Sequence, residues 1–435
     1  MEPVSNSLHD VLVDLHQHPY PHVPNPPSCK KRASVALILR VRPTYNHWPD
    51  ASSSPSPDSS SSTKQQLDTF FSQSWVQNGD PEAVFIKRAS RVGDRWTGHV
   101  ALPGGRRDPE DADDRAAAIR ETSEEIGLDL TPNNCIYVGN LPERVVTTSW
   151  GAVPLMVLCP FVFLLTSPES PSLKLQPTEV ASTHWVPLRA LLSPSLRTVE
   201  YVDMSQRLPT MGGFVTRLAC RAIMGLMQFS AIRLVSTESL YCNTTPGLIP
   251  TDTKLTPTPW FQRWKAPCGD HHQGGSSDRA PPLLLWGLTL GILADFLDML
   301  PPHSAVTLWK YPTFTTPDLR LIVSLVTYRL RKQNTLRVRS GRRASNTAVD
   351  GQTAALPVMQ TVDAESERNH VGIGGLGVGR YYGSSDRSPD GNAYAVGVML
   401  KGYYDRLRVA IYIYLAWRAA LGSVAGYTAW KLLRR

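Results

Sequence analysis

One stretch limits what this chain can become. It runs from Leu102-Pro103-Gly104-Gly105, through an acidic loop, to Arg120-Glu121-Thr122-Ser123-Glu124-Glu125-Ile126-Gly127-Leu128. The paired glycines Gly104 and Gly105 permit a tight turn that folds the loop back onto the next element. Asp113 or Asp114 can cap a helix after the loop, and Gly127 suits its end. On that helix Ala118, Ile119, Thr122 and Ile126 share one side, which should pack on a core. Glu121, Glu124 and Glu125 gather on another side, where each like-charged pair costs about 0.2–0.5 kcal/mol. A divalent cation with oxygen ligands removes that repulsion and is commonly shared with substrate phosphates. For the glutamates alone, a solvated acidic face beside Arg115 and Arg120 is the favoured reading. The Gly-Gly turn upstream favours the cation.

At this spacing the stretch resembles the Nudix box. Gly105, Asp111, Arg120, Glu121, Glu124, Glu125, Gly127 and Leu128 fall at the positions of that motif, with Asp111 where the general pattern has Glu. One extra residue precedes Arg120, and Thr122 replaces a usual aliphatic. The run Pro-Gly-Gly-Arg-Arg-Asp-Pro-Glu-Asp-Ala-Asp-Asp before the helix resembles the coenzyme A diphosphatase branch. That branch tends to have a His-x-Gly-x-Val-x-Phe-Pro-Gly-Gly lead-in; here Gly98, Val100 and Pro103 agree, while Trp96 stands at the His position and Leu102 at the Phe. The resemblance implies an α/β (α+β) fold, a Nudix α/β/α sandwich with a mixed central sheet. To this the sequence adds disordered inserts and a helical C-terminal extension.

The 435 residues exceed one ordinary domain, so a core with extensions is expected. Charge separates them. From Pro301 onward 19 Lys and Arg face 8 Asp and Glu, a surplus of 11, whereas the first 300 residues hold 26 against 29. The basic third suggests an anionic surface as partner. The catalytic part is not basic, and nucleic acid is set aside as its partner. The six cysteines lack pair spacing and read as reduced thiols. Residues 1–10 have neither the basic nor the apolar region of a secretory leader, so the expected location is intracellular and cytosolic.

Residues 1–31 read as an N-terminal extension, mostly coil after a short helix at 7–15, and its four histidines read as solvated rather than metal-binding. The Nudix domain is placed at 32–302, opening on the β-branched run from Arg32 and a second strand at Glu82-Ala-Val-Phe-Ile-Lys-Arg. Within it the Ser/Pro-rich stretch at about 48–79 is expected to be disordered, with a further insertion at about 242–281. Apolar runs at 135–141 and 153–165 are expected near the sheet centre. Glu179 sits in a stretch resembling the family's Glu-Val turn, as a ligand, a base or an exposed turn acid. The run 283–300 is short for a membrane span and carries Asp295 and Asp298. Its Trp286-Gly-Leu-Thr resembles the closing Nudix helix.

Beyond these, 303–343 reads as a helical basic extension starting at Thr316-Pro317-Asp318, and 344–400 as a flexible linker. In that linker Gly372-Ile-Gly374-Gly375-Leu-Gly377 lacks the strand and helix of a dinucleotide site. Residues 401–435 hold an apolar helix whose core, 409–430, is long enough to cross a bilayer but carries Arg418 in its middle. A span, an interfacial helix and a docked soluble helix all remain open. So does an organelle membrane, of peroxisome or mitochondrion, as the place where such a tail would hold the chain.

The chemistry implied is hydrolysis of a diphosphate bond in coenzyme A or another nucleoside diphosphate-linked substrate. The expected metal ligands are Glu121, Glu124 and Glu125, holding Mg²⁺ or Mn²⁺. Glu124, Glu125 and Glu179 are candidate bases, Arg120 orients a box carboxylate, and Gly104 and Gly105 shape the binding turn. For coenzyme A the products would be 4′-phosphopantetheine and adenosine 3′,5′-bisphosphate. The alternative is a non-catalytic Nudix-fold scaffold tethered to a membrane.

Overall fold

The structure is a computed structural model that describes residues 4–49, 61–90, 96–147, 154–203, 221, 223–242, 282–301, 309–348, 399–400 and 402–434, with backbone alone at 337–348. The expected insertion at 242–281 and the glycine-rich part of the linker lie outside the described residues, apart from Cys242.

In chain order the elements are α1 (Val4–Gln17), β1 (Arg32–Arg42), α2 (Thr63–Ser72), α3 (Ser74–Gln77), β2 (Asp80–Arg88), β3 (Val100–Ala101) and β4 (Gly104–Arg106). Then come α4 (Asp114–Ile126), β5 (Cys135–Asn140), β6 (Arg144–Thr147), β7 (Pro154–Leu165), β8 (Val180–Pro187), α5 (Leu188–Leu192) and β9 (Arg197–Val202). The last are β10 (Met227–Arg233), β11 (Glu238–Tyr241), β12 (Leu284–Trp286), α6 (Gly287–Met299), β13 (Thr313–Phe314), α7 (Pro317–Ala348) and α8 (Tyr403–Leu433).

A nine-stranded sheet runs β11-β8-β2-β1-β7-β5, with β3, β4 and β6 attached to β2, β1 and β7. β1 pairs parallel with β7 and antiparallel with β2, so the sheet is mixed. A smaller sheet joins β9, β12 and β13 around β10.

β1 explains the layering. Ala36 and Ile38 point to a core shared with Ala118 and Ile126 of α4, while Leu37, Leu39 and Val41 point to the other face. There they meet Leu8, Leu12 and Leu15 of α1 and Leu290, Leu293 and Leu297 of α6. A strand covered on both faces reads as an unbroken apolar run, which is why β1 shows no alternation. The α/β/α sandwich is the expected one.

Three expectations need correction. The N-terminal helix is longer than the expected 7–15 and packs into the core: α1 covers Val4–Gln17, and Leu8 and Leu12 are fully buried. Of the stretch 48–79, residues 61–79 are folded rather than disordered. Ser62 and Gln65 form a capping box at the start of α2, and Leu67, Phe70, Phe71 and Trp75 are buried. Residues 50–60 lie outside the described residues. β7 lies beside β1 in the interior, but β5 is a sheet edge. The described histidines of the first segment take separate partners, with His9 on Asp68, His16 on the Val138 carbonyl, His18 on Asp14 and His22 on Glu143. Leu290–Leu297 of α6 are buried inside the protein, as a closing helix requires.

Candidate active site

α4 starts where Asp113 accepts the amide of Ala116 at 2.7 Å and stops at Gly127. Asp114, the other candidate cap, is instead buried and takes Arg32 Nε at 2.7 Å. Arg32 also reaches Glu143 at 2.7 Å and the Val23 carbonyl at 2.9 Å, tying the start of α4 to β1 and to the coil before it.

The Gly-Gly turn is held against both β1 and α4. The Gly104 amide donates to Glu125 Oε2 at 2.9 Å, and β4 pairs with β1 through Ser34↔Gly105. Gly104 has φ of 143°, and a Cβ there would lie 2.2 Å from the Ser34 carbonyl oxygen. At Gly105 a Cβ would lie 2.3 Å from Glu121 Oε2. The second glycine therefore leaves room for a carboxylate.

Glu121 and Glu125, one turn apart, meet Glu179 from the turn before β8; carboxylate oxygens of the three lie within 4.8 Å of one another. The Glu179 turn is fixed by hydrogen bonds from the Gln176 amide to the Glu125 carbonyl and from the Ala89 amide to the Glu179 carbonyl. The helix alone grouped Glu121, Glu124 and Glu125, whereas the structure brings together Glu121, Glu125 and Glu179. Glu124 is exposed and bound to Arg120 at 2.9 Å, and Glu179 stands in the cluster in its place.

Arg120 organises the acidic loop. Its Nε and Nη2 each donate to Asp111 at 2.9 Å, its Nη1 reaches Glu121 at 3.1 Å, and its Nη2 reaches the Arg106 carbonyl at 3.0 Å. The bidentate pair holds Asp111 below the usual carboxylate range and raises the Arg120 guanidinium further.

Burial opposes charge on the cluster. It pushes the Glu125 carboxyl up to about 8, against the Gly104 amide and Arg88 Nη1 at 3.8 Å, and it raises Glu121 as well, against Arg120. Three converging carboxylates, one of them 2 % exposed, form an all-oxygen donor set that fits a hard divalent cation.

A cavity of about 350 Å³ opens beside the turn. Gly104 and Gly105 form one edge, Lys31, Arg88 and Arg106 supply cations, and Trp96, His99 and Trp286 supply rings. His99 and Trp286 have centroids 4.8 Å apart. Sequence reasoning marked Trp96 only as a departure from a motif, Trp286 only as a fold feature, and missed Arg88, His99, Lys31 and Arg106. A basic residue at the end of β2 was the one local sign of Arg88.

An α/β/α sandwich that sets a Gly-Gly turn against an acidic helix defines the class: a Nudix-box protein. In agreement, residues 74–207 match the family model described as the NUDIX domain. The chain is 36% identical over 317 residues to an uncharacterized protein of Schizosaccharomyces pombe, covering 71% of this chain and 78% of that one. It is 32% identical to the peroxisomal coenzyme A diphosphatase NUDT7 of Mus musculus, over 30% of this chain and 51% of that protein. It is 44% identical to the mitochondrial coenzyme A diphosphatase NUDT8 of the same organism, over 12% of this chain and 25% of that protein. The chain thus spans about half or less of these two diphosphatases. It belongs to the Nudix hydrolase family.

Proposed function

We propose that the chain hydrolyses the diphosphate bond of coenzyme A, or of a related nucleoside diphosphate derivative, with Mg²⁺ or Mn²⁺ held by Glu121, Glu125 and Glu179. The observation that carries this reading is the convergence of those three carboxylates behind the Gly-Gly turn, where Gly104 binds Glu125 and Gly105 makes room for Glu121, while the same turn edges a cavity with apolar walls and cationic corners. A bound divalent cation would neutralise diphosphate oxygens and acidify a coordinated water.

The chain's own residues do the rest. Arg88 and Arg106 face the cavity and balance phosphate charge, while the rings of His99 and Trp286 offer a wall to a planar or apolar arm of the substrate. Arg120 fixes Asp111 and Glu121 without lining the cavity, so its role is positioning. The proton of the attacking water passes to Glu125 or Glu179. Glu124, tied to Arg120 outside the cluster, drops from the candidate bases.

Coenzyme A leads because two of the relatives are by name coenzyme A diphosphatases. Those relatives are by name peroxisomal and mitochondrial, and we assign this chain to such an organelle. Its apolar α8 supports association with the organelle's membrane. The catalytic unit extends the expected 32–302 domain to include α1. A scaffold role is disfavoured because a binding module has no use for a buried, mutually repelling acid cluster.

The test is incubation of the full chain with coenzyme A, ADP-ribose and dinucleotides plus Mg²⁺, beside Glu125→Gln. Metal-dependent release of 4′-phosphopantetheine, lost in the variant, is expected. No metal-dependent product from any substrate refutes the enzyme, and turnover of the others without coenzyme A refutes only the substrate.

A further inference from the structure

α8 is one helix with two environments. Tyr403, Tyr404, Leu407, Ala410, Ile411 and Tyr414 are buried in the protein core, whereas every residue at 415–434 is exposed. At the junction Arg418 Nε donates to Asp318 Oδ2 of α7 at 2.9 Å and to the Tyr414 hydroxyl at 3.0 Å.

We propose that residues 415–433 cross a lipid bilayer while the first three turns of α8 stay docked, with Arg418 held at the near membrane surface by Asp318. This rests on the membrane association proposed above, and it specifies which residues cross and where the arginine sits.

The exposed 19 residues at 415–433 include only Arg418 and Lys431 as charges. At about 1.5 Å per residue they reach about 28 Å, close to the roughly 30 Å hydrocarbon core. Trp417 lies at one end and Tyr427 and Trp430 at the other, the places where amphipathic rings meet headgroups. Lys431 is one turn from the far end, and Arg434 lies over the Trp430 ring at 4.2 Å. At the near end Leu321 of α7, one turn past Asp318, is 61% exposed and adds apolar surface where the helix leaves the domain. The register suggested by hydropathy alone, 409–430, puts Arg418 near the bilayer centre. It also withdraws Ala410, Ile411 and Tyr414 from the core and breaks the pair with Asp318. The docked register avoids all three.

The experiment uses the full chain with an epitope tag after Arg435, inserted into sealed vesicles. Resistance to carbonate extraction and protection of the tag from protease until detergent is added are expected. Val424→Arg, at the centre of 415–433, should lower the inserted fraction, with an equilibrium shift of roughly 70- to 400-fold. Arg418→Leu should leave insertion unchanged. An Arg418→Leu gain as large as the Val424→Arg loss establishes the 409–430 register and overturns the proposal. A tag digested in intact, carbonate-resistant vesicles overturns crossing in favour of surface binding. Complete carbonate release, including release as a soluble oligomer, removes the membrane association itself. Thermal melting of each detergent-solubilised variant separates loss of insertion from loss of fold.

Discussion

An alanine methyl introduced by Gly105→Ala would lie 2.3 Å from Glu121 Oε2, 2.4 Å from its Cδ and 2.6 Å from its Oε1. All three contacts are to the end of one flexible side chain, so the backbone can stay and the carboxylate must withdraw by about 1 Å to regain ordinary contact. A misplacement of that size at a reacting centre costs about 100-fold in rate, or about 2.7 kcal/mol in the barrier. Stability should change by less than about 1 kcal/mol. Gly104→Ala is the contrast, because its Cβ meets backbone, the Ser34 carbonyl oxygen at 2.2 Å and Val35 Cα at 2.6 Å, with φ in the region L side chains avoid. That variant should lose fold as well as rate. The assay is kcat/KM on coenzyme A at saturating Mg²⁺ beside the thermal melting of each protein. Gly105→Ala within threefold of the parent, or melting as poorly as Gly104→Ala, refutes the reasoning.

Three further outcomes rest on the same geometry. Leu12→Ala on α1, a fully buried site, should reduce unfolding free energy by about 2–5 kcal/mol in urea titration, and a change below about 0.5 kcal/mol would show that α1 is peripheral. His184 is buried between Ser182 and Ser239, and burial, with Lys87, pushes its imidazole down to about 4 from 6.5. The folded state thus binds fewer protons than the unfolded one between those values, so stability present above pH 6.5 is lost as pH falls towards 4. That loss, when complete, is about 3 kcal/mol, and His184→Gln should flatten the melting profile there. Glu82→Ala leaves Arg40 buried without its 2.8 Å partner and should cost about 3–5 kcal/mol, less if Glu238, also 2.8 Å away, takes over. Calorimetry at neutral pH measures it, and an unchanged melting temperature would contradict the buried pairing.

The helix, its cap and its glycine turn were legible because their causes are local: propensity, spacing and repulsion. Which glutamates converge was not. Seen down the helix, Glu125 lies about 40° to one side of Glu121 and Glu124 about 60° to the other, so the wheel places both beside it. Only the position of α4 on the sheet, with Glu179 arriving from the turn before β8, decides between them. The reason 61–79 folds was equally non-local, since Leu67, Phe70 and Phe71 join a core completed by α1, about 50 residues earlier. The capping box Ser62-x-x-Gln65 was nonetheless a readable sign. In α8, composition marked an apolar helix, but the partner of Arg418 comes from α7, a hundred residues upstream.

The cavity beside the Gly-Gly turn takes its reactive edge and its far wall from separate parts of the chain. Gly104 and Gly105 belong to the same short stretch as Glu121 and Glu125, whereas Trp286, Leu288, Thr289 and Ile292 come from the β12–α6 segment. If the cavity holds the substrate as proposed, substitutions in the β12–α6 segment would reshape its wall and so its substrate preference, while Glu121, Glu125 and Glu179 stay untouched.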